Sequence, residues 1–199
     1  TASTRIEISD LLDGRPLSGL QIRVIVLCAL AVMFDGFDMQ LMALTVPTLS
    51  GEWGLPSSAF GLALSSSILG MGLGAALLAP LGDRLGRRAV LVASMVVVGA
   101  GSFGCALATS TQELAIWRFL TGVGLGGSIP NAFALTADYM PRARRSTLLI
   151  VMFCNTATGA LLASLASPWL IERFGWQGPF FAGGLLPVLA AMLLLVAAP

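Results

Sequence analysis

Six stretches of roughly twenty mostly apolar residues run along this chain almost end to end, and about that length is what a helix needs to cross a bilayer. They cover about Ile22 to Val46, Ala59 to Leu81, Ala89 to Ala108, Leu114 to Ala137, Thr147 to Ile171 and Gly178 to Ala197. Charged residues make up only 11% of the chain and apolar residues 56%. A soluble domain carries about 25% charged residues, so this chain has too few to cover a water-facing surface. The expected fold is an all-α membrane protein, a six-transmembrane-helix bundle over residues 21–199 behind a polar tail at 1–20. A signal peptide is not expected, because the first apolar run is long and follows that tail. The chain begins without Met and stops directly after an apolar run, so it reads as a piece of a longer protein.

Arginine placement sets the orientation, and every basic residue is Arg. Arg5 and Arg15 precede the first span and Arg23 stands at its start; Arg84, Arg87 and Arg88 separate the second from the third; Arg142, Arg144 and Arg145 separate the fourth from the fifth. Alternating helices put all of these on one side, which the positive-inside rule makes cytoplasmic, together with both termini. The opposite loops hold only Arg173.

Histidine is absent. That removes Ser-His and Cys-His catalysis, His-containing zinc sites and His proton relays. Cys28, Cys105 and Cys154 lie in apolar stretches without a CxxC pair and read as packing residues. No catalytic residue, metal or cofactor is expected, and a net charge of +1 gives no reason to expect nucleic acid.

Spans two and four hold GxxxG spacings, Gly70 to Gly74 and Gly122 to Gly126. Such glycines let helices approach closely where lipid supplies no hydrophobic driving force. Spans three and six carry no charge and read as outer, lipid-facing helices. A short repeat is visible: Asp83-Arg84-Leu85-Gly86 follows span two and Glu172-Arg173-Phe174-Gly175 follows span five, on opposite sides of the membrane. Three helices followed by three of inverted orientation are a transporter signature.

Asp35 and Asp38 interrupt the first span. A charge at mid-bilayer costs roughly 2.5–3.5 kcal/mol on insertion scales. Residues three apart share a helix face, so both carboxylates should point into the bundle. Without His, any proton carried here must sit on a carboxylate. Arg118 is the one basic residue deep inside a span, Arg23 standing at the edge of the first. At about 1.5 Å per residue, Asp35 and Asp38 lie about 13 and 9 Å below the outer face, and Arg118 about 6–9 Å below it. Pairing across helices is expected. Two readings stay open: a proton-dependent pair that frees Arg118 for an anion, or a static salt bridge.

The short loop Asp83-Arg84-Leu85-Gly86-Arg87-Arg88 makes spans two and three antiparallel neighbours, with Gly86 permitting the turn. Asp138 closes the fourth span before Pro141, within reach of the arginines that follow. Asn131, Asn155 and Thr158 are the polar side chains best placed to line a cavity, with inter-helix hydrogen bonding the equal alternative. Trp117, Trp169 and Trp176 read as interfacial belt residues, and Glu52, Glu113 and Glu172 as solvated at the outer side.

The Asp83 loop resembles the signature loop of the major facilitator superfamily, GxxxDRxGRR, with Ala79 in place of the first Gly. Arg118-Phe119-Leu120-Thr121-Gly122 is similar to that superfamily's fourth-helix motif. Asp35-Gly36-Phe37-Asp38, with Arg118 to Asn131, Asp138-Tyr139 and Gly175-Trp176, resembles the aromatic acid:proton symporter family, to which 4-hydroxybenzoate, benzoate and vanillate permeases belong. The likeness runs from about Ile6 to the last residue, although members often carry Glu where Asp138 stands. The resemblance implies half of a twelve-helix fold, importing a small aromatic carboxylate with protons through the inner membrane. It implies coupling roles for Asp35, Asp38 and Arg118, and conformational roles for Asp83, Arg84, Gly86, Arg87, Arg88 and Asp138. The partners implied are the lipid bilayer and a C-terminal six-helix half or a separate chain. A carrier of another organic anion, an exporter, and a truncated scaffold are the competing readings. The fifth span lacks the Gly-Pro pair of drug antiporters, which leans against export.

Overall fold

A computed structural model describes residues 18–140 and 142–197. Six long helices account for nearly all of them: α1 Gly19–Trp53, α2 Gly61–Leu85, α3 Arg87–Ala106, α4 Thr111–Tyr139, α5 Arg142–Phe174 and α6 Gln177–Ala197, with one 3-10 turn at Ser57–Phe60. Arg5 and Arg15 of the tail, and Pro141, lie outside the described residues.

Local sequence fixes the helix ends. Ser18 opens α1 with a capping box: its hydroxyl accepts from the Gln21 N–H while the Gln21 side chain accepts from the Ser18 N–H. Gly54 closes the helix in the left-handed conformation (φ 63°) and its N–H returns to the Ser50 carbonyl. Pro47, where the first span was expected to stop, lies inside α1, and the helix continues for another turn and more. Ser110 caps α4 through the Glu113 N–H, and Glu113 accepts from both the N–H and the hydroxyl of Thr109. The two repeat loops share one device. Gly86 (φ 96°) joins α2 to α3 and Gly175 (φ 68°) joins α5 to α6, in a region that only glycine enters without steric cost.

The packing has an internal two-fold pattern. α2 lies most extensively on α4, as α5 lies on α1; α3 meets α4, as α6 meets α1; α3 and α6 also meet each other. Glycine sets the closeness of both main contacts. A Cβ on Gly70 or Gly122 would overlap the backbone of Phe119 or Ser67 across the α2–α4 contact. Across the α1–α5 contact, a Cβ on Gly36 or Gly159 would overlap the backbone of Thr156 or Met33. The outward placement of span three is corrected here: 67% of its apolar window is buried, against 17% for α5. Its uncharged composition serves a helix wedged between α4 and α6, where Gly99, Gly101 and Gly104 meet Val188, Thr121 and Trp117.

Among the described residues, five helices are long and apolar enough to cross a membrane, and α4 is not one of them. Its glycines, Arg118 and Asn131 lower its hydropathy, and the helix is shielded by α1, α2, α3 and α5. The buried core divides into two apolar clusters. One surrounds Val24, Leu91, Leu135 and Leu194 at the arginine-rich end, and the other surrounds Leu41, Phe60, Leu114 and Phe180 at the opposite end. On α1 the sequence passes from one cluster to the other between Val32 and Phe37, with Asp35 inside that junction and Asp38 directly after it.

Candidate functional site: a buried ion pair between two core clusters

A charged group in an apolar core is tolerated only when paired and hydrogen-bonded. Asp38 meets both requirements. Its Oδ2 accepts from Arg118 Nη1 at 2.8 Å and its Oδ1 accepts from Ser102 Oγ at 3.2 Å. The Asp38 and Arg118 side chains are 1% and 3% exposed. The contact joins α1 to α4, and Ser102 adds α3. Arg118 Nη2 reaches Ser67 Oγ on α2 at 3.4 Å, while the buried Arg118 Nε has no hydrogen-bond partner among the described residues. One guanidinium therefore touches side chains from α1 and α2 as well as lying on α4.

Asp35 departs from the expectation that the two carboxylates act as a pair toward Arg118. It is 1% exposed, and its Oδ1 has no hydrogen-bond partner among the described residues. It borders a small cavity with Met95, Leu125, Ser128 and Pro187. The nearby Ser128 hydroxyl is committed to the Leu125 carbonyl. Three residues of helix separate a paired carboxylate from an unpaired one, because 300° of rotation still leaves Asp35 a turn closer to the arginine-rich end.

A second cluster lies at that end. Arg87 Nη1 donates to Asp138 Oδ1 and Oδ2 at 2.8 Å and to the Ala134 carbonyl at 3.1 Å. Its Nε and Nη2 donate to Asp83 Oδ1 at 3.2 and 3.0 Å. Arg87 thus links the start of α3 to the ends of α2 and α4. Arg88 Nη2 donates to the Leu195 carbonyl at 2.8 Å, at the end of α6, where last-turn carbonyls lack helical partners. Arg84 and Gly86 are exposed beside this network. Arg145 donates to the Ala137 carbonyl.

The three cavity candidates separate. Asn131 Nδ2 donates to the Leu78 carbonyl at 3.1 Å and the Gly127 carbonyl at 2.7 Å, tying α4 to α2, and the residue also borders a groove of about 440 Å3 with Asp83 and Arg87. Asn155 Nδ2 donates to the Ala29 carbonyl at 2.7 Å, tying α5 to α1. Thr158 is exposed on α5. Trp176 is corrected from a belt residue to a core one. It is 2% exposed and stacks edge-on against Trp53 at 5.7 Å and Phe180 at 6.2 Å. Trp169 is 51% exposed, with the Arg173 guanidinium 4.9 Å from its ring centre.

Sequence reasoning missed Ser67 and Ser102, the hydroxyls that meet the buried pair. Their one visible signal is a small polar residue within an apolar, glycine-containing span.

Comparison with known proteins gives this geometry a family. The family model described as Major Facilitator Superfamily matches residues 28–199. A gallate transporter of Pseudomonas putida is 40% identical over 189 residues, covering 95% of this chain and 42% of the relative. The 4-hydroxybenzoate transporter PcaK of Pseudomonas putida is 39% identical over 194 residues, covering 98% of this chain and 43% of the relative. Among solved structures, a partially occluded inward-open form of the Escherichia coli xylose transporter XylE superposes with a TM-score of 0.77 at 20% identity, covering 90% of this chain and 48% of that one. The chain spans somewhat under half the length of the curated relatives it matches. The family and these relatives are transporters rather than enzymes, and the apolar helices make this a multi-pass membrane protein. A six-helix bundle arranged as half of a twelve-helix fold, with a family match running from Cys28 to the last residue, belongs to the Major Facilitator Superfamily.

Proposed function

We propose that this chain forms the N-terminal half of a secondary carrier that imports an aromatic carboxylate together with protons. The observation that carries the reading is the buried Asp38–Arg118 pair with an unpartnered Asp35 carboxyl one turn away. A proton arriving at Asp38 cancels its charge and loosens its hold on Arg118. A guanidinium released in a low-dielectric site attracts an anion strongly. Asp35 stands on the same helix, nearer the arginine-rich end, as the second stop for the proton. The relatives named gallate and 4-hydroxybenzoate transporters support an aromatic carboxylate as the anion.

Arg87, Asp83 and Asp138 would hold one conformation of the carrier by fastening the ends of α2, α3 and α4 together, with Arg84, Gly86 and Arg88 in the same loop. The positive-inside rule supports a cytoplasmic location for this end and an inner-membrane protein with both termini cytoplasmic. The other half of the cavity would come from a second six-helix unit, on the same polypeptide or a partner chain, facing the lightly buried α2 and α5.

Uptake of radiolabelled 4-hydroxybenzoate into right-side-out membrane vesicles, with and without an imposed proton gradient, tests the reading. Gradient-dependent uptake that disappears in Asp38→Asn and Arg118→Ala is expected. Normal coupled uptake in both variants excludes the mechanism.

A further inference from the structure

Among the described residues, two side chains hold the Asp38 carboxylate, and they differ in kind. Arg118 Nη1 donates to Oδ2 at 2.8 Å, and a guanidinium can only donate. Ser102 Oγ donates to Oδ1 at 3.2 Å, and a hydroxyl can either donate or accept. Ser102 is fully buried. Its short side chain reaches α1 from α3 because α3 lies close against α4. A Cβ on Gly101 would overlap Thr121 Oγ1, and one on Gly104 would overlap the Trp117 ring. The Thr121 hydroxyl itself donates to the Trp117 carbonyl at 2.8 Å and so is committed within α4. The other ionisable groups close to Asp38 are Asp35, one turn before it on α1, and the buried Cys105 thiol, three residues past Ser102 on α3. α6 has no ionisable residue, and α2 and α5 carry their charged residues in terminal turns.

We infer that Ser102 is a positioning residue for proton binding at Asp38, presenting Oδ1 as the oxygen that takes the proton and changing from donor to acceptor when it arrives. The inference rests on the proton-coupled reading above and deepens it. Oδ2 faces the Arg118 cation, which repels an incoming proton, so the new O–H bond forms at Oδ1. Ser102 loses no proton of its own. Its hydroxyl turns, accepts from the new carboxyl O–H, and directs its own hydrogen to the Val98 carbonyl one turn back, a bond that helical serines can make. One side chain thereby satisfies both charge states of a carboxyl group in an apolar core. Alanine here would leave either state short of a partner. A second fixed cation would hold the carboxylate and resist the proton. The exchange is not neutral, because a hydrogen bond to a charged group is stronger than one between neutral groups. Ser102 therefore favours the ionised form, and its removal favours the acid.

The test measures initial rates of radiolabelled 4-hydroxybenzoate uptake by the whole carrier in right-side-out vesicles, across a range of external pH at fixed internal pH. Wild-type protein, Ser102→Ala and Ser102→Cys are compared, so the ionisation of the substrate is common to all three and cancels. The pH of half-maximal uptake should rise by about one unit in Ser102→Ala, the difference between a hydrogen bond to a charged group and one between neutral groups. Ser102→Cys keeps nearly the same volume but offers only a weak donor, and its profile should move in the same direction. If the alanine protein is inactive, the cysteine profile decides by itself. An unmoved profile in Ser102→Ala, whatever its melting temperature, overturns the role and assigns the hydroxyl to packing. A cysteine profile that stays at the wild-type position overturns it as well, because side-chain volume rather than the hydroxyl then sets the balance. Either result leaves the transport reading standing. A wild-type protein without gradient-dependent uptake overturns the transport reading, and the role of Ser102 with it.

Discussion

Arg87 Nη1 lies 2.8 Å from both carboxylate oxygens of Asp138, fifty-one residues further along the chain, while the same guanidinium holds Asp83 four residues behind it. Both carboxylates are more than half exposed, at 66% and 51%. Exposed pairs of this kind contribute about 1 kcal/mol or less to stability. Arg87→Gln should therefore leave the melting temperature in detergent nearly unchanged while slowing transport. Exchanging the charges in a double Arg87→Asp, Asp138→Arg variant should restore part of the rate. A large drop in melting temperature for Arg87→Gln alone would assign the network to folding instead.

The pair in the core behaves in the opposite sense. Removing one member leaves the other buried without a counter-charge, at a cost of about 3–5 kcal/mol. Asp38→Leu and Arg118→Leu are each expected to lower thermal stability by that order. The double variant should recover much of the loss, because no charge then remains in the apolar site. Single variants as stable as the parent would show that water reaches the pair.

Asp35 calls for a different outcome. Its Oδ1 is buried with no partner, so the carboxyl contributes little to holding the helices together. Asp35→Asn should keep or slightly raise the melting temperature and still weaken the dependence of uptake on the proton gradient. Unaltered coupling in a folded Asp35→Asn protein would remove this residue from the proton path.

Glycines along α2 provide an internal control. Gly72 has open space where a Cβ would stand, whereas a Cβ on Gly70 would overlap the Phe119 carbonyl. Gly72→Ala gains helix propensity, about 0.8–1.0 kcal/mol at most. Gly70→Ala forces α2 away from α4 and should cost more than that gain. Melting curves for the two variants should therefore shift in opposite directions, and parallel shifts would contradict the close α2–α4 contact.

The length and composition of the apolar runs made the helical bundle legible in the sequence, because lipid imposes a strict requirement on both. The repeat was legible too: Gly86 and Gly175 stand at matching places in two short motifs, and both adopt a positive φ. The rotational setting of each helix was not legible. Nothing in an apolar span says which hydroxyl faces a charge, so Ser67 and Ser102 passed unnoticed. The same limit made α3 look peripheral, since a lipid-facing helix and one buried among other helices are both apolar. It also placed Trp176 in the membrane interface, although the residue faces inward against Trp53. Asp35 and Asp38 could be matched by helix face but not by partner, because their contacts belong to α3, α4 and α6.

The repeat ends in unlike chemistry. The residue after Gly86 is Arg87, fastened by carboxylates, and the residue after Gly175 is Trp176, fastened by aromatic rings. Dissolved ions screen exposed charges but leave ring stacking almost untouched. Raising ionic strength should therefore slacken one mouth of the bundle and spare the other, giving a symmetric scaffold an asymmetric response to its medium.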